Sequence, residues 1–437
     1  MYLLLQLILT VLVSISQEHN TIAKYVPPYT SIAVPITKHT DAAKPLYSVK
    51  IMTSYINMQY MHANFLIDID APFIWHDCIL QWNMYPGSCP SNTLCTYPVS
   101  CEEYQCTDTR TTYSYKNPSC PPVTNSSTLP GWGYCTCPVN VVNLITKSCG
   151  QALLNYDDFT VNTSDGKNVF TGLYGANPNA ACAPSSSFES FPSGVTGVMA
   201  FSSSPYALPA YLYQPLKRSL ALCFPSTSST PGVLFFGSGP YYLLPQSDVD
   251  IKSLLSYTPL LKHPDSFGYF IGVTSIVIGR RSIDLPPNIT TKLSTIEPYA
   301  TLRSDIYNRM VRIFLIYTIG LPRARPVAPF GLCFRTFTRI ILRVPDINLV
   351  LSSGNKWTIS KANSMKQVTK DTACLAFIDG GATTEHAIVI GTLQFEDNFL
   401  EFDLENMSFG FSSSLLRRQT SCANFNFTLT NSPEAAS

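Results

Sequence analysis

The most informative part of the sequence is Phe65-Leu66-Ile67-Asp68-Ile69-Asp70-Ala71-Pro72-Phe73-Ile74-Trp75. An apolar run leads into Asp68, and Trp75 follows seven residues later. Because side chains alternate along a strand, Asp68 and Asp70 are expected on one face of it. A weaker parallel occurs in the second half, where an apolar residue leads into Ser294. The pattern predicts a strand that ends at a carboxylate, with a related element in the second half of the chain.

Short runs of β-branched, aliphatic and aromatic residues recur between turns rich in Gly, Pro, Ser and Asn, for example at 65–67, 233–236, 269–271 and 276–278. Such runs predict strands. One helix is predicted over residues 304–314, where a Ser/Asp cap opens a segment with apolar residues at helical spacing. The predicted fold class is therefore mostly β.

Length and composition indicate a globular protein of two domains. A chain of 437 residues exceeds the usual size of one domain, and 45% hydrophobic against 13% charged residues excludes a disordered chain. The formal net charge is +1, which gives no support for a nucleic-acid partner or for an anionic membrane surface.

The N-terminus and the cysteines indicate export. Residues 1–16 form a mainly apolar segment that is too short to span a bilayer, and they predict a signal peptide; a short buried strand is the alternative.

Nine of the 14 cysteines lie within 78–149, which predicts disulfides. A zinc site at Cys135-Thr136-Cys137 is the competing interpretation, disfavoured because no histidine is near. No metal and no cofactor are predicted. Glycosylation sequons fit the same compartment, at Asn125, Asn162, Asn288, Asn406 and Asn426.

The Asp68 stretch resembles the first active-site element of pepsin-like aspartic proteases. The end of the chain is similar to their closing motifs, with Ala387-Ile388-Val389-Ile390-Gly391 followed by Leu400-Glu401-Phe402-Asp403 and Phe409-Gly410-Phe411. The resemblance implies the two-lobed pepsin-like fold. We assign residues 17–240 to the first lobe, with a Cys-rich insert at 78–149, and residues 241–437 to the second lobe.

Proteolysis in that family needs two carboxylates that share a proton and hold the attacking water. In the second motif of this chain, Ser294 stands where the second Asp belongs, and Ile69 replaces the threonine that braces the two loops of the family's active site. Asp70 could not supply the missing group, because it belongs to the first lobe. Glu297 is expected to be a surface carboxylate. The degenerate pair Asp68 and Ser294 therefore predicts an inactive aspartic peptidase homologue.

Loss of the second Asp together with a Cys-rich insert resembles one plant branch, which comprises xylanase inhibitors, basic globulins, the extracellular dermal glycoprotein and xyloglucanase inhibitors. Val327-Ala328-Pro329-Phe330-Gly331-Leu332-Cys333-Phe334 and Cys422-Ala423-Asn424-Phe425 are particularly similar. The resemblance implies that two second-lobe arginines enter a glycosidase cleft, and Arg339 and Arg418 match them. Solvated surface charges are the alternative interpretation of both. We expect Cys333 to pair with Cys374, since both lie in the second lobe.

Three functions remain open. The first is a secreted, monomeric protein of the apoplast or cell wall that inhibits microbial glycoside hydrolases, xyloglucan-specific endoglucanase or xylanase, in plant defence. A guanidinium group could bridge the two carboxyl groups of a glycosidase. The second is a peptide- or polysaccharide-binding storage globulin of the cell wall, and the third is an active aspartic endopeptidase. After signal cleavage no membrane association is expected.

Overall fold

The computed structural model describes residues 29–42, 44–55, 59–81, 90, 93–113, 120–121, 123, 135–212, 216–245, 248–287, 289–336 and 342–432. The predicted signal peptide at 1–16 lies outside the described residues, as do Arg339 and the sequons at Asn125 and Asn288.

Strands dominate the described chain, and the prediction of a mostly β fold is confirmed. The strands of the first half are β1 (Ser31–His39), β2 (Leu46–Tyr55), β3 (Gln59–Asp68), β4 (Ile74–Asp77), β5 (Ile79–Leu80), β6 (Cys95–Pro98), β7 (Pro138–Val142), β8 (Cys149–Tyr156), β9 (Phe159–Ser164), β10 (Val169–Ala176), β11 (Asn179–Ala183), β12 (Val195–Ala200), β13 (Ser219–Cys223) and β14 (Gly232–Phe236).

The second half of the chain is also built mainly from strands. These are β15 (Ser256–Pro259), β16 (Leu261–His263), β17 (Ser266–Ile278), β18 (Arg281–Asp284), β19 (Thr290–Leu293), β20 (Ala300–Leu302), β21 (Arg323–Ala324), β22 (Cys333–Arg335), β23 (Ile347–Leu351), β24 (Lys356–Ile359), β25 (Met365–Thr369), β26 (Thr372–Leu375), β27 (Phe377–Asp379), β28 (Ile388–Ile390), β29 (Phe399–Asp403), β30 (Ser408–Phe411) and β31 (Leu429–Thr430).

The helices of the described residues are short, apart from one. The α-helices are α1 (Tyr104–Asp108), α2 (Ser304–Tyr317), α3 (Lys361–Ser364) and α4 (Thr392–Phe395). One π-turn (Thr109–Tyr113) and five 3₁₀ turns (Ser185–Phe188, Leu208–Tyr211, Ile251–Leu254, Leu415–Arg418, Cys422–Asn424) complete them. In the part of the chain described here, no helix has the length and apolar character needed to cross a bilayer.

Helix α2 confirms the predicted helix, which begins at Ser304 as expected but has a different N-cap. It spans 14 residues, and its N-cap is Arg303, whose side chain makes no capping bond. The predicted Ser/Asp cap is wrong because both side chains have other partners. Ser304 Oγ donates to Asp379 Oδ1 at 2.6 Å, and Asp305 pairs with Arg303 at 2.6 Å. The apolar face packs on the second lobe through Ile306, Met310 and Phe314, which are buried.

Three sheets organise the described strands. Strands β1 to β15 join β29, β30 and β31 in one large sheet, so the end of the chain returns to the first half. Two contacts fix this return: β29 pairs with β13, and β30 pairs with β15. A second sheet has the order β24-β23-β17-β19-β28-β20-β27, with β16 and β18 also on β17. The third has the order β21-β22-β26-β25.

The same strand arrangement occurs once in each half. In the first half, β12 runs parallel to β3 and antiparallel to β4, and β4 runs parallel to β11. In the second half, β28 runs parallel to β19 and antiparallel to β20, and β20 runs parallel to β27. Met199 faces Ile67 in the first copy, and Ile390 faces Leu293 in the second. The residues that follow Ile67 and Leu293 are therefore equivalent by topology.

Disulfides crosslink the Cys-rich segment at 78–149 and also occur in the rest of the chain. Every described cysteine is disulfide-bonded. The disulfides in which both cysteines lie among the described residues are Cys78–Cys182, Cys101–Cys135, Cys106–Cys137, Cys120–Cys149, Cys223–Cys422 and Cys333–Cys374. Within the described ranges, no group of three His, Cys, Asp or Glu side chains is arranged to hold a metal ion.

Candidate functional site

Asp68 lies at the end of β3, between the two halves of the molecule. Its carbonyl accepts a hydrogen bond from Phe201 N–H at 2.8 Å, so the backbone is fixed to the strand beside it. Its carboxylate oxygen Oδ1 accepts the N–H of Asp70 at 2.9 Å, which closes the turn after the strand. The residue is only 4% exposed. An apolar strand thus delivers one carboxyl group into the interior, as the sequence predicts.

The environment of Asp68 favours its neutral form. Burial, and then the negative charge of Asp70, raise the pKa of Asp68 to about 6. The N–H of Asp70 and the charges of Lys292 and Lys147 act in the opposite direction. The carboxyl group can therefore change its protonation between pH 5 and pH 7.

Asp70 has a partner of opposite charge from the other half of the chain. Its Oδ2 lies 2.5 Å from Lys292 Nζ, and its Oδ1 accepts the hydroxyl of Ser266 at 2.6 Å. Burial opposes ionisation of Asp70, but Lys292, Ser266 and the N–H of Gly268 outweigh it, so the pKa of Asp70 lies below its ordinary value. Asp70 is thus an ionised member of a pair that joins the two halves, and Lys292 is a site residue that the sequence analysis missed.

Ser294 follows β19 directly and is the topological counterpart of Asp68. Its N–H donates to Ile390 O at 3.0 Å. Its hydroxyl oxygen accepts the N–H groups of Ile296 at 3.2 Å and of Glu297 at 3.1 Å. The serine therefore closes its turn as the carboxylate of Asp68 closes the other, but an alcohol cannot exchange a proton as a carboxylic acid does near neutral pH.

Thr295 joins the two turns from one side. Its hydroxyl donates to Ile67 O at 2.7 Å and accepts the N–H of Ile69 at 3.3 Å. Ile69 is the equivalent residue of the first half, and its side chain has no polar atom to return the contact. The loss of the bracing threonine is thus confined to one half, and Thr295 keeps the strand ends together.

A cavity of about 480 Å³ opens between these turns. A hairpin formed by β7 and β8 lies over it and contributes Val142, Leu144 and Lys147. Asn143 shapes the tip of this hairpin, because its Oδ1 accepts two backbone N–H groups at 2.9 and 3.0 Å. The remaining lining residues include Asp68, Asp70, Ala71, Lys292, Ser294, Ile296, Glu297, Thr301 and Val389. Thr384, Glu385 and His386 complete the lining, so ten of its fifteen residues are polar or charged and the other five are aliphatic.

Glu297 stands at the rim of this cleft between two lysines. Its Oε1 lies 3.7 Å from Lys44 Nζ and 3.9 Å from Lys147 Nζ, and 40% of its side chain is exposed. This position agrees with the expected surface carboxylate. Lys147 reaches Glu297 from the hairpin tip, so this ion pair connects the hairpin to the second half across the cleft.

Arg418, Cys333 and Cys374 are not among the residues that line the cleft. Arg418 ends the 3₁₀ turn at 415–418 and is exposed, whereas Arg339 is outside the described residues. The neighbouring Arg417 donates through Nη2 to both carboxylate oxygens of Asp346, at 2.8 and 2.7 Å. Cys333 and Cys374 face each other on β22 and β26 and form a disulfide.

Three sequons lie in the described part of the chain. Asn406 and Asn426 are exposed, and Asn406 Nδ2 donates to Asp403 at 2.7 Å. Asn162 is partly buried, and its Nδ2 donates to Phe170 O at 3.0 Å. Exposure therefore favours Asn406 and Asn426 as acceptors of a glycan more than Asn162.

Comparison with known proteins places the chain in a family. The family model described as Xylanase inhibitor N-terminal matches residues 51–238, and the one described as Xylanase inhibitor C-terminal matches residues 268–413. A protein of Nicotiana benthamiana named Probable aspartic proteinase GIP2 is 32% identical, over 91% of this chain and 92% of its own length. A rice protein named Chitinase CLP is 33% identical, over 90% of this chain and 91% of its own length.

The solved structures give the same result. The crystal structure of edgp is 30% identical and superposes with a TM-score of 0.75, covering 92% of this chain and 99% of that one. The crystal structure of Basic 7S globulin from soybean is 26% identical, with a TM-score of 0.73 and coverage of 91% and 99%. The two-lobed pepsin-like fold expected from the sequence is confirmed. The chain belongs to the plant xylanase-inhibitor family of pepsin-fold proteins, which includes non-catalytic globulins and inhibitors.

Proposed function

We propose that this protein is a secreted, non-proteolytic member of its family that inhibits cell-wall-degrading glycoside hydrolases of microbes, in plant defence. The observation that carries the first part is the equivalence of Ser294 and Asp68. Peptide hydrolysis in the pepsin fold needs an acid on each wall of the cleft. Here one wall presents Asp68, and the other presents a hydroxyl that accepts two backbone N–H groups.

The second part rests on the family and on the two arginines that the sequence indicates. Asp346 lies seven residues after Arg339 in the sequence, and it binds Arg417, the neighbour of Arg418. This ion pair holds Asp346 beside the turn of Arg418. The two arginines could enter a cleft in which a retaining glycosidase keeps two carboxyl groups ~5–5.5 Å apart.

Secretion to the apoplast is part of the proposal. The predicted signal peptide at 1–16, the sequons and the disulfides of the described residues all fit an oxidising compartment. The partner is a microbial hydrolase, bound by a monomer of this chain.

Purified protein should inhibit a microbial xyloglucan-specific endoglucanase or xylanase, and the double substitution Arg339→Ala with Arg418→Ala should raise the inhibition constant at least about 100-fold, since charge-assisted pairs at the centre of an interface contribute several kcal/mol. The matched control is Arg325→Ala with Arg335→Ala, which removes two exposed arginines of the same lobe. Unchanged inhibition by the Arg339/Arg418 variant would refute the mechanism.

A cell-wall binding or storage globulin is the second candidate, favoured by the cavity near Asp68. The apolar side chains of its lining are aliphatic and include Val142, Leu144, Ile296 and Val389. Such a lining suits an apolar peptide side chain, whereas sugar rings stack on aromatic faces. Calorimetric binding of short apolar peptides, together with no effect on a hydrolase panel, would favour this candidate over inhibition.

A further inference from the structure

The charge of this chain is concentrated in one segment. Residues 280–343 contain ten of the 14 arginines but a single lysine, Lys292, and three carboxylates. Eleven cations against three anions give this segment a net charge of +8, whereas the whole chain carries +1. The even overall balance therefore conceals a strongly basic part of the second lobe.

Four of these arginines form one surface with two isoleucines. Arg280 and Arg281 lie at the turn from β17 to β18, and Arg309, Arg312 and Ile316 share one side of α2 at positions i, i+3 and i+7. All five are exposed, and Ile319, just beyond the helix, is 89% exposed. We call these six residues the arginine surface.

Two hydrogen bonds hold the turn and the helix together. Arg280 N–H donates to the hydroxyl of Tyr317 at 2.7 Å, and Arg309 Nη1 donates to Asp284 O at 3.5 Å. In the described part of the chain, none of the four arginines takes part in an ion pair, in contrast to Arg303 with Asp305. The charges of four neighbouring cations repel one another and disfavour the folded state, so their arrangement suits a negative partner from outside.

Strand register shows that this surface lies near the turn that carries Arg418. Arg281 faces Ile278 on one side of β17, and Ile347 faces Ile278 on the other side. Two strand spacings separate Arg281 from Ile347, about 10 Å. Asp346, which holds Arg417, directly precedes Ile347. The arginine surface therefore lies beside Asp346 and the turn that carries Arg417 and Arg418.

The composition of the surface favours a protein as its partner. Protein interfaces are enriched in arginine and depleted in lysine, and they bury apolar side chains near their centre. Ile316 and Ile319 would gain little from an anionic polysaccharide but would be buried by a protein. The partner face must be acidic to complement the four arginines.

We propose that the arginine surface docks an acidic face of the same glycoside hydrolase and steers it onto the turn of Arg418. This inference rests on the proposed function, because it takes the hydrolase as the partner. The cleft of such an enzyme is itself acidic, since its mechanism uses two carboxyl groups. Attraction between complementary charges raises the association rate at low salt more than it lowers the dissociation rate.

The test measures association and dissociation rates by surface plasmon resonance, with immobilised xyloglucan-specific endoglucanase or xylanase, at low and high NaCl. The variant Arg280→Gln/Arg281→Gln/Arg309→Gln/Arg312→Gln should associate about 10- to 100-fold more slowly at low salt and lose most of its salt dependence. Ile319→Ser should raise the dissociation rate about 10-fold by removing a buried side chain from the interface. The control removes the same charge elsewhere in the lobe: Lys356→Gln/Lys361→Gln/Lys366→Gln/Lys370→Gln.

Each result has a distinct meaning. If the wild-type protein binds neither hydrolase, the proposed function and this inference both fail. If it binds, and only the Arg339/Arg418 double variant loses binding, the function stands and the arginine surface is not part of the interface. If the four-arginine variant loses binding to polygalacturonate beads but associates with hydrolase at the wild-type rate, the surface is a polysaccharide site and the proposal is wrong. Equal slowing by the four-lysine control would also overturn it, because net charge alone would then explain the rate.

Discussion

Replacement of Asp68 by asparagine should stabilise the protein at neutral pH and have no effect at pH 3. Burial, aided by the charge of Asp70, raises the pKa of Asp68 from 3.8 to about 6. At 1.36 kcal/mol per pKa unit, ionisation of the buried group costs about 3 kcal/mol of folding free energy. The amide of Asn can still accept the N–H of Asp70 through Oδ1, so the turn is preserved.

The sign follows from proton binding. Between pH 3.8 and about 6 the unfolded chain has lost the proton of Asp68 and the folded chain retains it, so wild-type stability falls as the pH rises through this window. Below pH 3.8 both states are protonated, and the penalty is absent. The asparagine variant has no proton to lose and escapes the penalty at every pH.

Equilibrium urea unfolding with intact disulfides at pH 3, 5 and 7 measures this difference. Asp68→Asn should gain about 2–3 kcal/mol at pH 7, part of that at pH 5 and nothing at pH 3. The control Asp265→Asn removes an exposed carboxylate and should change nothing. A destabilised Asp68→Asn variant at pH 7 would refute the reasoning, because it would mean that Asp68 is ionised and paired with a cation or with a second acid.

Two further substitutions test the contacts between the halves. Lys292→Met should destabilise the protein by about 1–2 kcal/mol at pH 7, a moderate value because Asp70 is 32% exposed. The loss should disappear as the pH falls below the lowered pKa of Asp70, and Asp70→Asn in the same chain should restore stability; urea unfolding that shows the same loss at low pH would contradict the ion pair. Thr295→Val should cost about 1–3 kcal/mol at all pH values, because it removes two hydrogen bonds between the hydroxyl and buried backbone groups. Thr301→Val is its control, and thermal unfolding that does not distinguish the two would contradict the bracing role of Thr295.

The sequence predicts the ends of the strands better than the contacts between them. The apolar run before Asp68 and the single apolar residue before Ser294 are local patterns, and both residues lie at the ends of the strands that these patterns predict. The pair of Lys292 and Asp70 joins residues 222 positions apart, so no local pattern could indicate it. The predicted Ser304 cap was wrong because Asp379, far away in sequence, binds its hydroxyl.

The arginine surface shows a different limit. The net charge of the whole chain averages out the contrast between the basic segment and the rest. Counting charges along the chain would have detected it. The position of the Arg280–Arg281 turn beside Asp346 depends on strand register, which becomes apparent only when β17, β18 and β23 are aligned.

Of the two equivalent positions that peptide cleavage in this fold requires to be acids, only Asp68 is one and the other is Ser294, and a peptidase assay addresses this point without any assumption about partners. Purified protein should be incubated with a peptide library from pH 3 to pH 7, with and without pepstatin, beside the Asp68→Asn variant. The account predicts no pepstatin-sensitive cleavage and no difference between wild type and variant. Cleavage that pepstatin blocks and that Asp68→Asn abolishes would contradict it.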